Sequence, residues 1–169
     1  KGYIKSIVTT AVTMALLIAP LNSSYAFWKN TVLEDESLYN YLQVAEEDDT
    51  VILSTNVAFG VQSVYNKNRR LSGLYYDYAL MSPFFLDNLD KEKEMDVLVL
   101  GMGTGTFAKQ CKYFFPNSNI DGVEIDEKIV NLSKEYFELS DDEAKVYVND
   151  GRTFLSSPEA GMYDIVMVD

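Results

Sequence analysis

The sequence predicts an α/β fold with a parallel sheet, preceded by a small antiparallel β-meander. From residue 97 onward, apolar segments suited to buried strands alternate with helical segments, and this alternation implies parallel strands joined by right-handed crossovers. The first such strand, residues 97–100, runs directly into the glycine turn Gly101-Met102-Gly103-Thr104-Gly105-Thr106. Upstream, short β-prone segments divided by turn residues are typical of a meander.

The meander is expected to contain three strands. They are predicted at residues 39–46, 51–55 and 60–65, with turns at Asp48-Asp49 and at residues 66–68. The preceding run Glu34-Asp35-Glu36 is interpreted as an acidic connector. Residues 75–81 predict a helix packed beneath the meander, and Ser82-Pro83 is expected to end it.

The parallel part is expected to bring several strand ends to one crevice. Its strands are predicted at residues 97–100, 119–124, 145–148 and 163–168, and its helices at residues 107–115, at residues 127–138 and just after Gly151. Ligands of such sheets bind at the carboxyl ends of the strands. The features at these ends are the glycine turn, Glu124, Asn149-Asp150 and Asp169. Together they predict one shared binding crevice.

The glycine turn has the outline of a nucleotide site. Glycines let the backbone turn tightly and approach a ligand, and the helix that follows presents free N–H groups to the turn. Glu124 ends the next strand, about twenty residues later, where a carboxylate can accept hydrogen bonds from both ribose hydroxyls of an adenosine. The alternative is a glycine turn that only closes a βα unit, with Glu124 as a solvated strand end.

The composition excludes several kinds of site. The formal charge of −12 is unsuited to nucleic acid and suits cationic ligands better, although it is equally typical of an acidic soluble protein. The absence of histidine removes Ser-His-Asp and Cys-His catalysis and the commonest transition-metal ligand. The single cysteine, Cys111, forms no internal disulfide or multi-thiolate zinc site and is expected to be a buried apolar residue. No metal site is predicted.

The N-terminal segment is excluded from the folded part. Its apolar stretch at residues 7–21 follows Lys1 and Lys5 and precedes Ser24-Tyr25-Ala26, which has the form of a signal-peptide cleavage site. A transmembrane helix is the alternative, and either interpretation predicts a membrane-associated or exported protein. Because the chain opens on Lys1 and stops as an apolar strand ends, it is interpreted as a fragment. The predicted domains are this segment (residues 1–30), the meander plus helix (residues 31–90) and an incomplete nucleoside-binding domain (residues 91–169).

The order of these motifs resembles the spermidine synthase (polyamine aminopropyltransferase) family, over residues 39–169. The matching motifs are residues 60–64, Tyr75-Tyr76-Asp77, the glycine turn, residues 123–126, Asn149-Asp150-Gly151 and residues 163–169. The resemblance implies the Rossmann-like fold of class I S-adenosylmethionine-dependent transferases behind the meander. It also implies transfer of an aminopropyl group from decarboxylated S-adenosylmethionine to an amine such as putrescine.

The resemblance assigns roles to individual residues. Glu124 would hold the ribose, Asp150 the adenine amino group, and Asp169 would be the base that takes a proton from the attacking amine. Gln62 and Tyr76 fall where the family contacts nucleoside or amine. The remaining members of the implied cofactor site are Gly101, Gly103, Thr104, Gly105 and Gly151, and Asp77 joins Tyr76 in the implied amine site.

The choice of an Asp as base agrees with the chemistry of amines. A primary amine near neutral pH is mostly an ammonium ion, so a carboxylate has to bind it and accept its proton, and no histidine is present to do so. The alternatives are a strand-terminal acid for Asp169 and a turn initiator for Asp150. For Tyr75, Tyr76 and Tyr78 the alternative is a core or rim aromatic, which is the favoured interpretation of Tyr75 and Tyr78.

Several substitutions depart from the family pattern. Thr104 stands where the family usually has an Asp, which binds the ammonium end of the decarboxylated cofactor and repels the carboxylate of intact S-adenosylmethionine. Met102 and Thr106 replace glycines, and Asp77 is shorter than the usual Glu. The alternatives are therefore an S-adenosylmethionine-dependent methyltransferase and a non-catalytic, membrane-linked sensor of nucleosides or polyamines.

A full-length chain is expected to be a homo-oligomer with a small-molecule amine as substrate.

Overall fold

The computed structural model of the 169-residue chain describes residues 2–18, 28–57, 59–86 and 94–169. The chain begins with helix α1 (Gly2–Ile18), whose side chains from residue 3 to residue 15 are exposed. Among the helices described, none has both the length and the apolar character needed to cross a membrane. The predicted cleavage site Ser24-Tyr25-Ala26 lies outside the described residues.

The first sheet is an antiparallel meander in which each strand pairs with the next. Its strands are β1 (Thr31–Glu36), β2 (Tyr41–Glu47), β3 (Thr50–Thr55) and β4 (Val61–Asn66). The three predicted strands are confirmed to within two residues. The interpretation of Glu34-Asp35-Glu36 as a connector is wrong, because these residues form the end of β1 and pair with β2. An exposed edge strand tolerates such a run of charge, which also discourages pairing with another chain.

The chain then passes through two short helices that pack on the parallel layer and not beneath the meander as predicted, because Tyr76 and Leu80 are buried in one cluster with Val97 and Phe107. Helix α2 (Tyr75–Ala79) ends two residues before the predicted boundary. Ser82-Pro83 does not end helical structure but begins a 3₁₀ turn, Ser82–Phe85. Proline is compatible with that position because the first residues of a helix have no intrahelical partner for their N–H groups.

The second sheet is parallel, as predicted. Its elements are β5 (Met95–Leu100), α3 (Thr106–Phe114), β6 (Ser118–Glu124), α4 (Glu127–Glu135), β7 (Lys145–Val148), α5 (Gly151–Leu155) and β8 (Ile165–Val168). The strand order is β7-β6-β5-β8, so β5 is central and is followed by the glycine turn. The predicted strand at residues 163–168 starts two residues too early, and the predicted helix at residues 127–138 ends three residues too late.

Apolar packing fixes the meander against the parallel layer. Leu42 and Leu53 of the meander are fully buried in one cluster with Ile129 and Phe137, which belong to α4 and the segment after it. Burying each such side chain contributes about 1.5–3 kcal/mol. A second cluster, beneath the glycine turn, contains Cys111 as the predicted buried residue, and burial raises the pKa of its thiol to about 11. The first cluster therefore holds the meander against the parallel layer, and the second forms the core of the parallel layer itself.

Candidate active site at the glycine turn

The glycine turn has a backbone that residues other than glycine rarely adopt. The φ angles of Gly101, Gly103 and Gly105 are +78°, +58° and +80°. The N–H groups of Gly101 and Met102 donate to the carbonyl of Val123 at 2.9 and 3.0 Å, which ties the turn to β6. A Cβ atom at Gly101 would lie 2.6 Å from the carbonyl oxygen of Asp169. The turn therefore brings the ends of β5 and β8 into close contact.

Glu124 is buried at the end of β6 and faces the turn. Its Oε2 accepts a hydrogen bond from the Gly103 N–H at 2.9 Å, and its Oε1 accepts one from the Asp126 N–H at 3.0 Å. A carboxylate has about four acceptor positions, so two backbone bonds leave capacity for ribose hydroxyls. Glu124 thus holds the turn in shape and keeps acceptors for a ligand.

Asp169 follows β8 and is hydrogen bonded to Tyr75 of α2. The Tyr75 hydroxyl lies 2.5 Å from both carboxylate oxygens and donates its proton to them. Burial, followed by this hydrogen bond and the negative charge, raises the pKa of Tyr75, so the phenol stays protonated and remains a donor. The sequence favoured Tyr75 as a core or rim aromatic, and the structure shows a half-exposed ring whose hydroxyl also bonds to the Asp169 carboxylate.

A narrow cleft joins several of the predicted residues. Its lining consists of Gln62, Ser63, Tyr76, Val99, Gly101, Met102, Gly103, Thr106, Phe107, Met167 and Asp169. Glu124 adjoins the cleft through its bond to Gly103. The structure thus brings Gln62, the glycine turn and the carboxylate of Asp169 together from both sheets.

Asp150 and Gly151 lie at the start of α5, near the end of β7. Asp150 caps this helix, accepting hydrogen bonds from the Thr153 N–H at 2.9 Å and its hydroxyl at 3.0 Å. These bonds lower the pKa of Asp150 and keep it ionised at neutral pH. Its side chain is exposed, and its proposed contact with adenine stays a prediction.

Two predicted amine contacts use their polar atoms in hydrogen bonds within the protein, although Tyr76 also lines the cleft. The Tyr76 side chain is buried, and its hydroxyl oxygen accepts a hydrogen bond from the Val64 N–H at 3.1 Å. Asp77 accepts hydrogen bonds from the N–H groups of Ser72 and Gly73 and from the Gln110 amide. Burial pushes the pKa of Asp77 upward, but these bonds outweigh it and lower the pKa. In this structure Asp77 stabilises the loop before α2 and contacts no cleft residue through these bonds.

Thr104 is fully enclosed beneath β4. Its side chain is 0% exposed, its N–H lies 3.4 Å from the Ser63 hydroxyl oxygen, and its Oγ1 lies 3.5 Å from Oγ1 of Thr106. Thr106 in turn donates to the Val64 carbonyl at 3.0 Å. The predicted contact of Thr104 with the cofactor stays a prediction, and the threonine meets meander residues here.

An apolar pocket next to Glu124 was not predicted from the sequence. It is lined by Ser37, Leu38, Tyr39, Ile125, Asp126, Glu127, Lys128 and Val148. The Asp126 carboxylate holds its meander wall in place, because it accepts hydrogen bonds from the Ser37 hydroxyl and from the Asn40 amide at 2.9 Å. Ile125 and Val148 face this wall from the ends of β6 and β7. Apolar walls beside the Glu124 carboxylate, which is predicted to hold a ribose, suit a nucleobase.

The fold and this cleft define the class to which the chain belongs. A parallel sheet with a glycine turn after its central strand, and an acidic residue at the tip of the next strand, is the Rossmann-like arrangement. The chain also has an antiparallel meander before this arrangement, and the meander supplies Gln62 and Ser63 to the cleft. This separates the chain from proteins that have the Rossmann-like arrangement alone.

Comparison with known proteins identifies the family. The spermine/spermidine synthase domain family matches residues 84–169, and the chain belongs to this family. Over 153 residues the chain is 49% identical to a probable polyamine aminopropyl transferase of Bifidobacterium longum, covering 90% of this chain and 32% of that protein. It is 26% identical over 166 residues to a polyamine aminopropyltransferase of Vibrio vulnificus, covering 94% of this chain and 54% of that protein. The chain thus spans a third to a half of these relatives.

Solved structures agree on the fold. A probable spermidine synthase from Corynebacterium glutamicum superposes with a TM-score of 0.67 at 19% identity, over 87% of this chain and 52% of that one. A spermidine synthase in complex with the transition-state analogue AdoDATO gives a TM-score of 0.62 at 14% identity, over 82% of this chain and 46% of that one. The predicted fold is confirmed by these neighbours.

Proposed function

We propose that the protein containing this chain transfers an aminopropyl group from decarboxylated S-adenosylmethionine to an amine such as putrescine. Family membership and the names of the relatives support this proposal. The observation that carries it is the position of Asp169, whose carboxylate meets the Tyr75 hydroxyl at 2.5 Å and whose backbone carbonyl lies against the glycine turn at Gly101.

In the proposed reaction, the amine nitrogen attacks the methylene carbon of the aminopropyl group next to the sulfonium. The carbon–sulfur bond breaks, its electron pair returns to sulfur, and methylthioadenosine leaves. The attacking nitrogen loses one proton to the carboxylate of Asp169, which binds the cationic amine beforehand. Tyr75 donates to that carboxylate and orients it. Glu124 would accept the ribose hydroxyls, and the pocket between Leu38 and Ile125 would hold the adenine.

The test is a turnover assay with decarboxylated S-adenosylmethionine and putrescine that measures methylthioadenosine. Asp169→Asn is expected to lower the rate about 10²–10⁴-fold, the contribution usual for a positioned general base. Asp141→Asn removes the same charge from a surface pair with Lys134 and is the matched control. A rate of Asp169→Asn within threefold of the unchanged protein would overturn the assignment of the base.

A second candidate is methyl transfer from intact S-adenosylmethionine. The neutral side chain of Thr104 favours it, since no carboxylate at that position repels the cofactor's own carboxylate. Calorimetry with the two cofactor forms distinguishes the candidates. Tighter binding of the decarboxylated form supports aminopropyl transfer, whereas tighter binding of the intact form supports methyl transfer.

We also propose that the protein is membrane-associated or exported and that it is a homo-oligomer. The apolar N-terminal segment supports the first point. Cell fractionation tests it, and recovery of the protein only in the cytosol would contradict it. Light scattering of the purified protein tests the second, and a mass equal to one chain would contradict it.

A further inference from the structure

A second cavity, of about 160 Å³, lies between β4, the loop that follows it and α3. Its lining consists of residues 64–66, Arg69, Arg70, Ser72, Thr106, Lys109, Gln110, Lys112, Tyr113 and Glu143. Thr106 borders both this cavity and the nucleoside cleft, whereas Asp169, Glu124 and Asp150 belong to neither its wall nor its floor. The cavity is therefore separate from the site of the proposed reaction.

The cavity has a charge opposite to that of the chain. The sequence carries a net charge of −12, yet Arg69, Arg70, Lys109 and Lys112 all line this one space. The acidic residue in the lining is Glu143, which pairs with Lys109 at 3.3 Å. In the part of the chain that the structure describes, neither arginine forms an ion pair within 4.0 Å. The carboxylates of Glu138 and Asp77 bond to the lining residues Tyr65 and Gln110, so the surplus of positive charge is that of the lining itself.

Aromatic rings and carbonyls fix these cations without neutralising them. The Arg70 guanidinium lies 4.5 Å from the centre of the Tyr113 ring, and the Lys109 ammonium lies 4.6 Å from that of Tyr65. Lys112 donates to the carbonyl of Ser118 at 2.7 Å. A cation on a ring face gains about 0.5–1 kcal/mol at an exposed site and keeps its full charge. Arg70, Lys109 and Lys112 are therefore ordered around the cavity before any ligand arrives.

A buried amide in the same wall has an unused acceptor. Gln110 is 4% exposed, and its Nε2 donates to Asp77 at 2.7 Å. Its Oε1 has no hydrogen-bond partner among the described residues. Leaving a buried acceptor unsatisfied costs about 1–3 kcal/mol. A negatively charged ligand matches the cations of this wall, whereas the Gln110 Oε1 atom, with less than 1 Å² of accessible surface, comes within reach of a ligand only after its side chain shifts.

We infer that this cavity binds a small anion that carries a phosphate group. A phosphate offers several oxygens to the planar guanidinium groups of the two arginines, which match its geometry. The two lysines add positive charge, and an ammonium group acts as a point charge that requires no particular orientation of the phosphate. The inference rests on this wall alone and is independent of the proposed function.

The experiment is a calorimetric titration of the protein with inorganic phosphate at low ionic strength. The double variant Arg69→Gln/Arg70→Gln removes two exposed cations from the cavity. The matched control, Lys134→Gln/Lys145→Gln, removes two exposed cations that line no part of it. Because both variants change the net charge equally, any difference between them reports on the cavity. Acetate at equal ionic strength is the second probe, and thermal melting shows that each variant is folded.

The expected result is phosphate binding that weakens at least tenfold in the arginine variant and less than twofold in the lysine variant. Acetate should bind at least tenfold more weakly than phosphate. The inference is overturned if phosphate does not bind at millimolar concentration, if both variants weaken it equally, or if acetate binds as well as phosphate.

Discussion

The contact between Gly101 and Asp169 leads to a quantitative prediction about Gly101→Ala. The change lowers the free energy of unfolding in two ways. It places a side chain on a left-handed backbone (φ +78°), and it places a Cβ atom 2.6 Å from the backbone oxygen of Asp169. The first is about 1–2 kcal/mol. The second, in a region that cannot yield by side-chain rotation, is about 1–3 kcal/mol. The expected loss in the free energy of unfolding is the sum of the two.

Gly73→Ala is the matched control, because it has the first cost without the second. Gly73 has a φ of +81°, and nothing lies within 4 Å of the place that a Cβ atom would take. Both changes reduce the freedom of the unfolded chain equally, so that effect cancels in the comparison. The difference between the variants therefore isolates the contact with the Asp169 carbonyl.

The assay is urea unfolding of both variants, together with thermal melting. Gly101→Ala should be less stable than Gly73→Ala by about 1–3 kcal/mol, which lowers Tm by a further 2–4 °C or so per kcal/mol. It should also reduce methylthioadenosine formation, because relief of the contact moves the Asp169 carboxylate away from Tyr75. Equal stability of the two variants would refute the reasoning that these strand ends are in close contact.

Three further predictions concern hydrogen bonds of tyrosine and aspartate. Tyr75→Phe should slow turnover about tenfold or more by releasing the Asp169 carboxylate, while the free energy of unfolding changes by less than about 1 kcal/mol because the ring is half exposed. Asp77→Asn should cost about 1–3 kcal/mol in urea unfolding at pH 7, since its carboxylate accepts several N–H and O–H bonds. Because the folded protein lowers the pKa of Asp77, this stabilisation is present above the unfolded value of 3.8 and is lost as the pH falls below it. The folded protein raises the pKa of Tyr65 to about 12. The contribution of the protonated Tyr65 hydroxyl to the free energy of unfolding is therefore complete below the unfolded value of 10.0, and it is lost as the pH rises toward 12.

Each of these predictions has an outcome that contradicts it. Turnover of Tyr75→Phe equal to that of Tyr78→Phe, a neighbouring exposed tyrosine, would remove the orienting role of the Tyr75 hydroxyl. Equal acid sensitivity of the Asp77→Asn variant and the unchanged protein would show that this carboxylate does not govern stability at low pH. If Tyr65→Phe loses stability between pH 10 and pH 12 as steeply as the unchanged protein, another group accounts for the alkaline loss.

Much of the fold follows from the pattern of the sequence, and the exceptions have physical causes. The glycine turn and the parallel strands were predictable because periodicity and turn residues agree there. Strand β1 was missed because its Glu34-Asp35-Glu36 end carries the charges of a linker, and only its place at the edge of a sheet makes them acceptable. Lys128 adds a partner from α4, bonding to Asp35 at 2.6 Å, which no local pattern reveals.

The site residues at strand ends were predictable from the sequence. Those on α2 were less predictable, because their position depends on which side of the helix faces the protein. Glu124 and Asp169 end strands of a parallel sheet, so their convergence follows from topology. Tyr75 and Tyr76 are adjacent in a five-residue helix, and such a short helix has too few apolar positions to show which face is buried. The family motif favoured Tyr76, whereas packing buries Tyr76 and directs Tyr75 to the carboxylate.

The pairing of Tyr75 with Asp169 also determines when the site can exist during synthesis of the chain. The two residues are 94 positions apart, and the carboxylate follows β8, the last of the described strands to join β5. On the ribosome, N-terminal parts are available to fold first. The meander and the glycine turn therefore emerge before Asp169, and a nascent chain has the cleft without its β8 wall. The proposed reaction cannot begin until that strand has been made and docked.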